Sequence, residues 1–136
     1  MNTFSRYEEF EDESGRFVRY RRLESGGLVA VDAQVADDAR IGDQAWVDPD
    51  ARVAAGAHVG EHGWVESGAV VGPRARVGAR ARVGRNAVVG AGARVGAHVE
   101  IGVGVRIDAR AIMPDDVRIP AGAMVIRGQE RHALAA

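Results

Sequence analysis

The sequence predicts an all-β fold, a single-stranded parallel β-helix of nearly six triangular coils with an N-terminal cap, and three observations predict it. Counting in sixes from Val29 to Val125 gives seventeen positions, and every one except Met113 is Val or Ile. Only 26 of the 136 residues are Val or Ile, so sixteen of them in one register is not chance. Two residues before each, from Ala33 to Ala123, the column holds twelve Ala together with Gly63, Val99, Val105 and Val117. One residue after the aliphatic the column favours Gly, at Gly42, Gly60, Gly72, Gly78, Gly84, Gly90, Gly96 and Gly102. No insertion breaks the register.

Residues 1–28 do not fit the repeat and hold all five Phe and Tyr residues: Phe4, Tyr7, Phe10, Phe17 and Tyr20. The EDESG segment is turn-like, and the GRFVRYRRLE that follows mixes β-branched, aromatic and Arg residues as a strand does. Residues 3–24 therefore read as a strand or short helix, a turn and a strand. A solenoid exposes its terminal strands as adhesive edges, so this hairpin-like segment is expected to be its cap.

Residues 29–126 are the repeat. Alternation within each hexad puts the Ala and the Val on one side of a short strand, and Gly with polar residues turns the chain before the next strand. A helix is excluded, because it needs apolar spacing of 3.6 over a longer span and is weakened by recurrent Gly. Three hexads close a coil, so eighteen residues separate stacked neighbours, and parallel ladders about 4.8 Å apart give a prism roughly 27 Å long. Residues 127–136 are expected to form a short C-terminal tail.

With the hexads in view, the sequence resembles the hexapeptide-repeat superfamily of the bacterial transferase type, whose pattern is [LIV]-G-x-x-[small]-x. The resemblance covers about three quarters of the chain. It implies a left-handed helix; nothing else in the residues does, since parallel crossovers are otherwise right-handed. The segment PAGAMVIRGQERHALAA resembles the family's closing segment only in part, because Gln129, Glu130 and Arg131 follow Gly128 where a Gly-x-Pro-Ala turn is usual. Pentapeptide solenoids would repeat every fifth residue and are excluded by the count.

Composition bounds the function. The chain is 46% hydrophobic with an unbroken repeat, which predicts one domain built as a one-dimensional stack. Cysteine is absent, so disulfides and thiolate metal sites are unavailable. No apolar run approaches a membrane span, and MNTFSRYEEFEDES is too acidic for a signal peptide, so a cytoplasmic protein with no membrane partner is expected. All 18 basic residues are Arg, which reads more like codon bias than function.

The net charge of −1 hides a polarised rod: residues 30–66 sum to −6 and residues 67–99 to +6. Such a band attracts an anionic ligand such as a phosphate, nucleotide or coenzyme A, although a solvated face that keeps a Val-rich solenoid soluble is the plainer reading. Nucleic acid is not expected, because no aromatic follows Trp64 and the basic band lacks a stacking platform.

Columns eighteen residues apart define three outward faces. The first carries Leu28, Trp46, Trp64, Arg82, Glu100 and Arg118; its stacked Trp46 and Trp64 require cover from the cap, a second subunit or a ligand. The second carries Gln34, Arg52, Val70, Val88, Arg106 and Met124, with Val70 and Val88 as subunit contacts. The third, with Arg40, His58, Arg76, Arg94 and Ile112, is basic.

Four histidines are present: His58, His62, His98 and His132. His62 and His98 share a corner column with Gln44, Arg80 and Asp116, two coils apart. The γ-class carbonic anhydrases, which have the fold the resemblance implies, hold zinc between subunits with histidines at such spacings plus one five residues beyond. Here those positions are Ser67 and Val103, so a third ligand is missing and no metal site is expected. The corner column, three after the aliphatic, holds six Gly, four Asp, one Asn and two His among seventeen members. These residue types favour left-handed backbone angles, and His62 and His98 are most simply turn residues.

Two functions follow. The first is a non-catalytic, self-associating β-helix acting as a structural or binding module, with no cofactor. The alternative, implied by the resemblance, is a small acyltransferase-like enzyme that binds acyl-coenzyme A between subunits. In it His98 would be general base, with Arg76, Arg80 and Arg94 for the phosphates. The unbroken register lacks the inserted loop and C-terminal helical domain of those enzymes, which favours the scaffold. Ice binding is excluded, since Thr3 is the single Thr. The resemblance also implies a homo-oligomer, a trimer ahead of a dimer.

Overall fold

The computed structural model describes residues 4–133, so residues 1–3 of the expected cap and 134–136 of the expected tail lie outside the described residues. It is a left-handed parallel β-helix. From β3 (Leu28–Ala30) onward seventeen short strands follow one another to Met124–Val125, each separated from the next by a four-residue corner or slightly less. Each strand pairs in parallel with the strand eighteen residues on: Trp46 with Trp64, Arg82 with Glu100, Val70 with Val88, and Arg76 with Arg94. Three sheets result, of eight, six and five strands, and their outward columns are those that the hexads predict.

The interior follows from the two apolar columns. Val47, Val65, Val83 and Val89 are fully buried, and so are Ala45, Ala51, Ala69 and Ala87. Met113, the exception among the seventeen, is buried in the same place, its unbranched chain filling a slot meant for Val or Ile. Each coil contributes one ring of side chains, so the core is a single side chain thick from axis to wall.

The corners depend on left-handed backbone. Fifteen of the seventeen corner-column residues have positive φ, Asp32 and Asp38 being the exceptions. His62 and His98 are among the fifteen, at φ 58° and 59°. Their amides donate across to the preceding coil, His62 to the Asp43 carbonyl and His98 to the Ala79 carbonyl, each at 2.9 Å.

The Gly that follows the aliphatic has a different cause from the turn chemistry that the sequence implies. Gly78 is not at positive φ, yet a Cβ there would lie 2.5 Å from the carbonyl carbon of Gly96 on the next coil. Close stacking of one backbone on another, rather than dihedral freedom, excludes a side chain.

The segment before the repeat is a hairpin of two strands, β1 (Phe4–Glu11) and β2 (Phe17–Leu23), with β2 antiparallel to β3. Among its described residues no helix forms, and side chains alternate between an outward face and one that packs on the first coil. The turn is built by Asp12, whose Oδ1 accepts from the Ser14 amide, the Ser14 hydroxyl and the Arg16 amide at 2.9, 2.7 and 2.9 Å. These bonds, that of the Ser14 side chain first, hold the Asp12 carboxyl below the usual carboxylate range. Across the hairpin Arg22 grips Glu8, and with lesser help from Arg6 depresses its carboxyl to about 2.

At the other end residues 130–133 form a 3-10 turn rather than a plain tail. Glu130 Oε2 accepts from the Ile112 amide at 3.0 Å, satisfying a donor that has no further coil to meet, and Ala133 is buried against the last coil.

Candidate functional site

The three faces handle charge differently. On the first, each outward Arg has a carboxylate beside it: Arg82 donates to Glu66 Oε2 from Nε and Nη2 at 2.9 and 2.5 Å, and Arg118 Nε stands 3.3 Å from Glu100 Oε2. On the third face Arg40, His58, Arg76 and Arg94 stack in one ladder, one coil apart, with no carboxylate ion-paired to any of them among the described residues. Like charges directly opposite each other in a sheet repel. Half-buried His58 records this: burial first, then the Arg76 and Arg40 charges, push its imidazole below the ordinary value of 6.5.

The corner between the third and first faces carries Gln44, His62, Arg80, His98 and Asp116, all at positive φ. Arg80 lies between the two histidines, one coil from each, and all three are exposed. Arg76 and Arg94 are brought together as paired residues, and Arg80 and His98 stand in the adjoining corner column. No group of three His, Cys, Asp or Glu able to hold a metal ion occurs among the described residues.

The two Trp have separate fates. The hairpin folds back over Trp46, whose ring meets Phe10 at 4.9 Å and Tyr20 at 5.1 Å between centroids, both edge to face. Leu28, on the strand before it, is 1% exposed. Trp64 is left 40% exposed, its indole Nε1 donating to Asp48 Oδ2 at 2.8 Å and its ring under the Arg82 guanidinium at 4.7 Å. On the second face Val70 and Val88 pair and are each half-buried in the single chain.

A cleft of about 630 Å³ opens between the hairpin and the first face. Two of its residues, Asp48 and Glu66, escaped attention in the sequence. Asp48 Oδ1 accepts from the Tyr20 hydroxyl at 3.0 Å, and burial pushes its carboxyl above the usual value despite the bonds from Trp64 and Tyr20. Glu66 is 8% exposed, a buried charge among the described residues. A signal existed: the column after the aliphatic is Gly or Ala at every other position from Ala30 to Gly102, and these two acids break it one coil apart, beside the two Trp.

No protein-family model matches the sequence, and no curated protein matches it. Solved structures do share the fold. A UDP-N-acetylglucosamine acyltransferase from Bacteroides fragilis superposes with a TM-score of 0.66 at 19% identity, over 69% of this chain and 44% of that one. A hexapeptide transferase family protein from Anaplasma phagocytophilum gives 0.55 at 17% identity, over 72% of both chains. A GDP-perosamine N-acetyltransferase from Caulobacter crescentus, in complex with CoA and GDP-perosamine, gives 0.51 at 24% identity, over 69% of this chain and 52% of that one. The chain spans about half the length of the two named enzymes. At these identities the likeness is one of fold.

Proposed function

We propose that this chain, a hexapeptide-repeat left-handed β-helix, binds an acyl-coenzyme A and acts as a small acyltransferase. The observation that carries the reading is the uncompensated ladder of Arg40, His58, Arg76 and Arg94, which repels itself until an anion lies along it. The phosphates of coenzyme A are anions of that kind, and two of the structures that share the fold are acyltransferases by name. This favours the enzyme over the non-catalytic module that the unbroken register alone favours.

Arg76, Arg80 and Arg94 then hold phosphate, and His98 faces the acceptor. His98 takes the proton from an acceptor hydroxyl or amine as its oxygen or nitrogen attacks the thioester carbonyl; the C–S bond breaks, and the coenzyme A thiolate leaves and takes up a proton. Because His98 and Arg80 are exposed, a second copy is needed to close the groove over them.

The test reads the ladder directly. Burial is the larger cause of the His58 depression and the Arg76 charge the next; coenzyme A phosphates set against Arg76 offset that second part, so His58 is expected to titrate at higher pH in the complex than in the free protein. By linkage, binding takes up a proton, and affinity rises as pH falls through the His58 titration. NMR titration of the His58 ring with and without coenzyme A measures both. An unmoved His58, or affinity that ignores Arg76→Gln and Arg94→Gln, rejects the site. His98→Asn, which keeps a residue tolerant of left-handed φ, is expected to retain binding and lose transfer from acetyl-coenzyme A to hydroxyl or amine acceptors.

The closing copy is expected to belong to a parallel homotrimer, supported by half-buried Val70 and Val88 side by side on the second face. Three +6 bands then lie at one level, and salt is expected to tighten the assembly, whereas an antiparallel dimer that sets residues 67–99 against the acidic residues 30–66 loosens. Light scattering across a salt series separates them: a dimer that dissociates as salt rises rules out the trimer, and a monomer throughout rules out both.

A further inference from the structure

We propose that the cleft between the hairpin and the first face binds an organic cation, a guanidinium or alkylammonium group. This site is on another face from the basic ladder and does not depend on the acyltransferase reading.

Its origin is a departure from the repeat. Where the column from Ala30 to Gly102 otherwise holds Gly or Ala, Asp48 and Glu66 bring two carboxylates one coil apart onto the same wall. Both line the cleft, Glu66 buried and Asp48 half-buried. Burial first, and then the nearby Glu66 charge, raise the cost of ionising Asp48 even with Trp64 and Tyr20 donating to it. A cation bound in the cleft offsets that remaining repulsion.

The remaining wall has the chemistry that a cation needs. Trp64 shows part of its indole to the cleft, and Trp46 and Phe10 line its floor. Aromatic faces attract cations through the ring quadrupole. The hairpin tip adds Glu11, Asp12 and Glu13, so five carboxylates stand against two guanidiniums, Arg82 and Arg85. The protein already displays the recognition once: Arg82 lies 4.7 Å over the Trp64 ring while both of its hydrogen bonds go to Glu66 Oε2. Glu66 Oε1 accepts neither of those bonds. Asp48 holds Trp64 by its indole N–H and Tyr20 by its hydroxyl, so one carboxylate fixes the ring and anchors the hairpin that roofs the cleft.

The experiment uses the intact protein and two probes of one shape, n-butylguanidinium and the neutral n-butylurea. Trp emission and the Trp64 indole N–H resonance are followed during titration at low salt. The guanidinium is expected to give saturable changes at both, with the urea at least about tenfold weaker. Asp48→Asn and Glu66→Gln are each expected to weaken the guanidinium about tenfold, with melting temperature checking the fold; Asp48→Asn suffices if the other variant does not fold. Arg82→Ala removes the internal occupant of the Trp64 face and is expected to tighten the guanidinium about threefold or more. Equal binding of urea and guanidinium, no saturable change, or indifference to both acid substitutions overturns the proposal. So does loss of the guanidinium in Arg82→Ala together with inorganic phosphate binding to the parent, which would mark an anion site.

Discussion

Val83→Asp is expected to unfold the protein at temperatures where the parent is stable. Val83 is 0% exposed at the middle of the stack, facing the small and aliphatic columns of its own coil. An aspartate there has no hydrogen-bond donor to meet and cannot reach water through a core one side chain thick. It either ionises unpaired or is held neutral, at a cost of several kcal/mol in either case. Total stabilities of about 5–15 kcal/mol leave little margin. In a solenoid the damage is not local, because each coil is stabilised by its neighbours and a broken middle leaves two uncapped stacks. Arg106→Asp, on an outward position with no ion pair among the described residues, is the control and is expected to change the melting temperature little. Thermal melts by circular dichroism check both. A Val83→Asp protein that melts like its parent would show that position 83 does not face the core.

Removing residues 1–24 is expected to have the second largest effect, and to act on the two Trp unequally. The hairpin supplies Phe10 and Tyr20 over Trp46 and pairs β2 along β3, so its loss exposes Trp46 and Leu28 and leaves β3 as an open edge. Uncovering these rings and Leu28 costs about 2–5 kcal/mol in apolar burial. The bare edge also invites pairing between chains. Trp64 is already exposed and is held by Asp48 and Arg82, which the truncation keeps. Emission should therefore shift to the red and become more easily quenched chiefly through Trp46, as a Trp64→Phe background resolves, with lower melting temperature and higher mass by light scattering. Unchanged Trp46 emission would show that the hairpin does not cover that ring. If Trp64 moved as far as Trp46, the cap would reach further along the first face than its contacts show.

The repeat made most of the architecture legible. Each hexad touches its own coil and the coils above and below, so a spacing of six along the chain fixes a spacing of eighteen across it, and distant contacts become arithmetic. That is why the pairing of Trp46 with Trp64 and of Arg76 with Arg94 was readable from residues alone. The corner angles were readable for a related reason. Left-handed φ favours certain side chains, so a column in which thirteen of seventeen residues are Gly, Asp, Asn or His announces it, and His62 and His98 take that conformation.

The basic face was readable because it obeys the repeat, whereas for the cleft the sequence shows two acids that break a column and not what they face. The third face is a column, so its stacked positive charge is visible in the sequence. The cleft is not a column, because it forms between the repeat and a segment outside it. No period says where a hairpin of eight- and seven-residue strands will lie.

What the sequence by itself determined is the coil: the length of its side, the direction of every side chain, and the charge each face presents, all consequences of a backbone that repeats one local conformation. Tertiary structure decided what happens where the repetition stops. Packing of Phe10 and Tyr20 on Trp46, and not any periodicity, chose which Trp is covered, which carboxylates are taken from water, and where a cleft opens. The physical reason is that register is set by backbone hydrogen bonds repeated at each coil. The docking of a single non-repeating hairpin is set once, by the shapes and charges of the few side chains it meets.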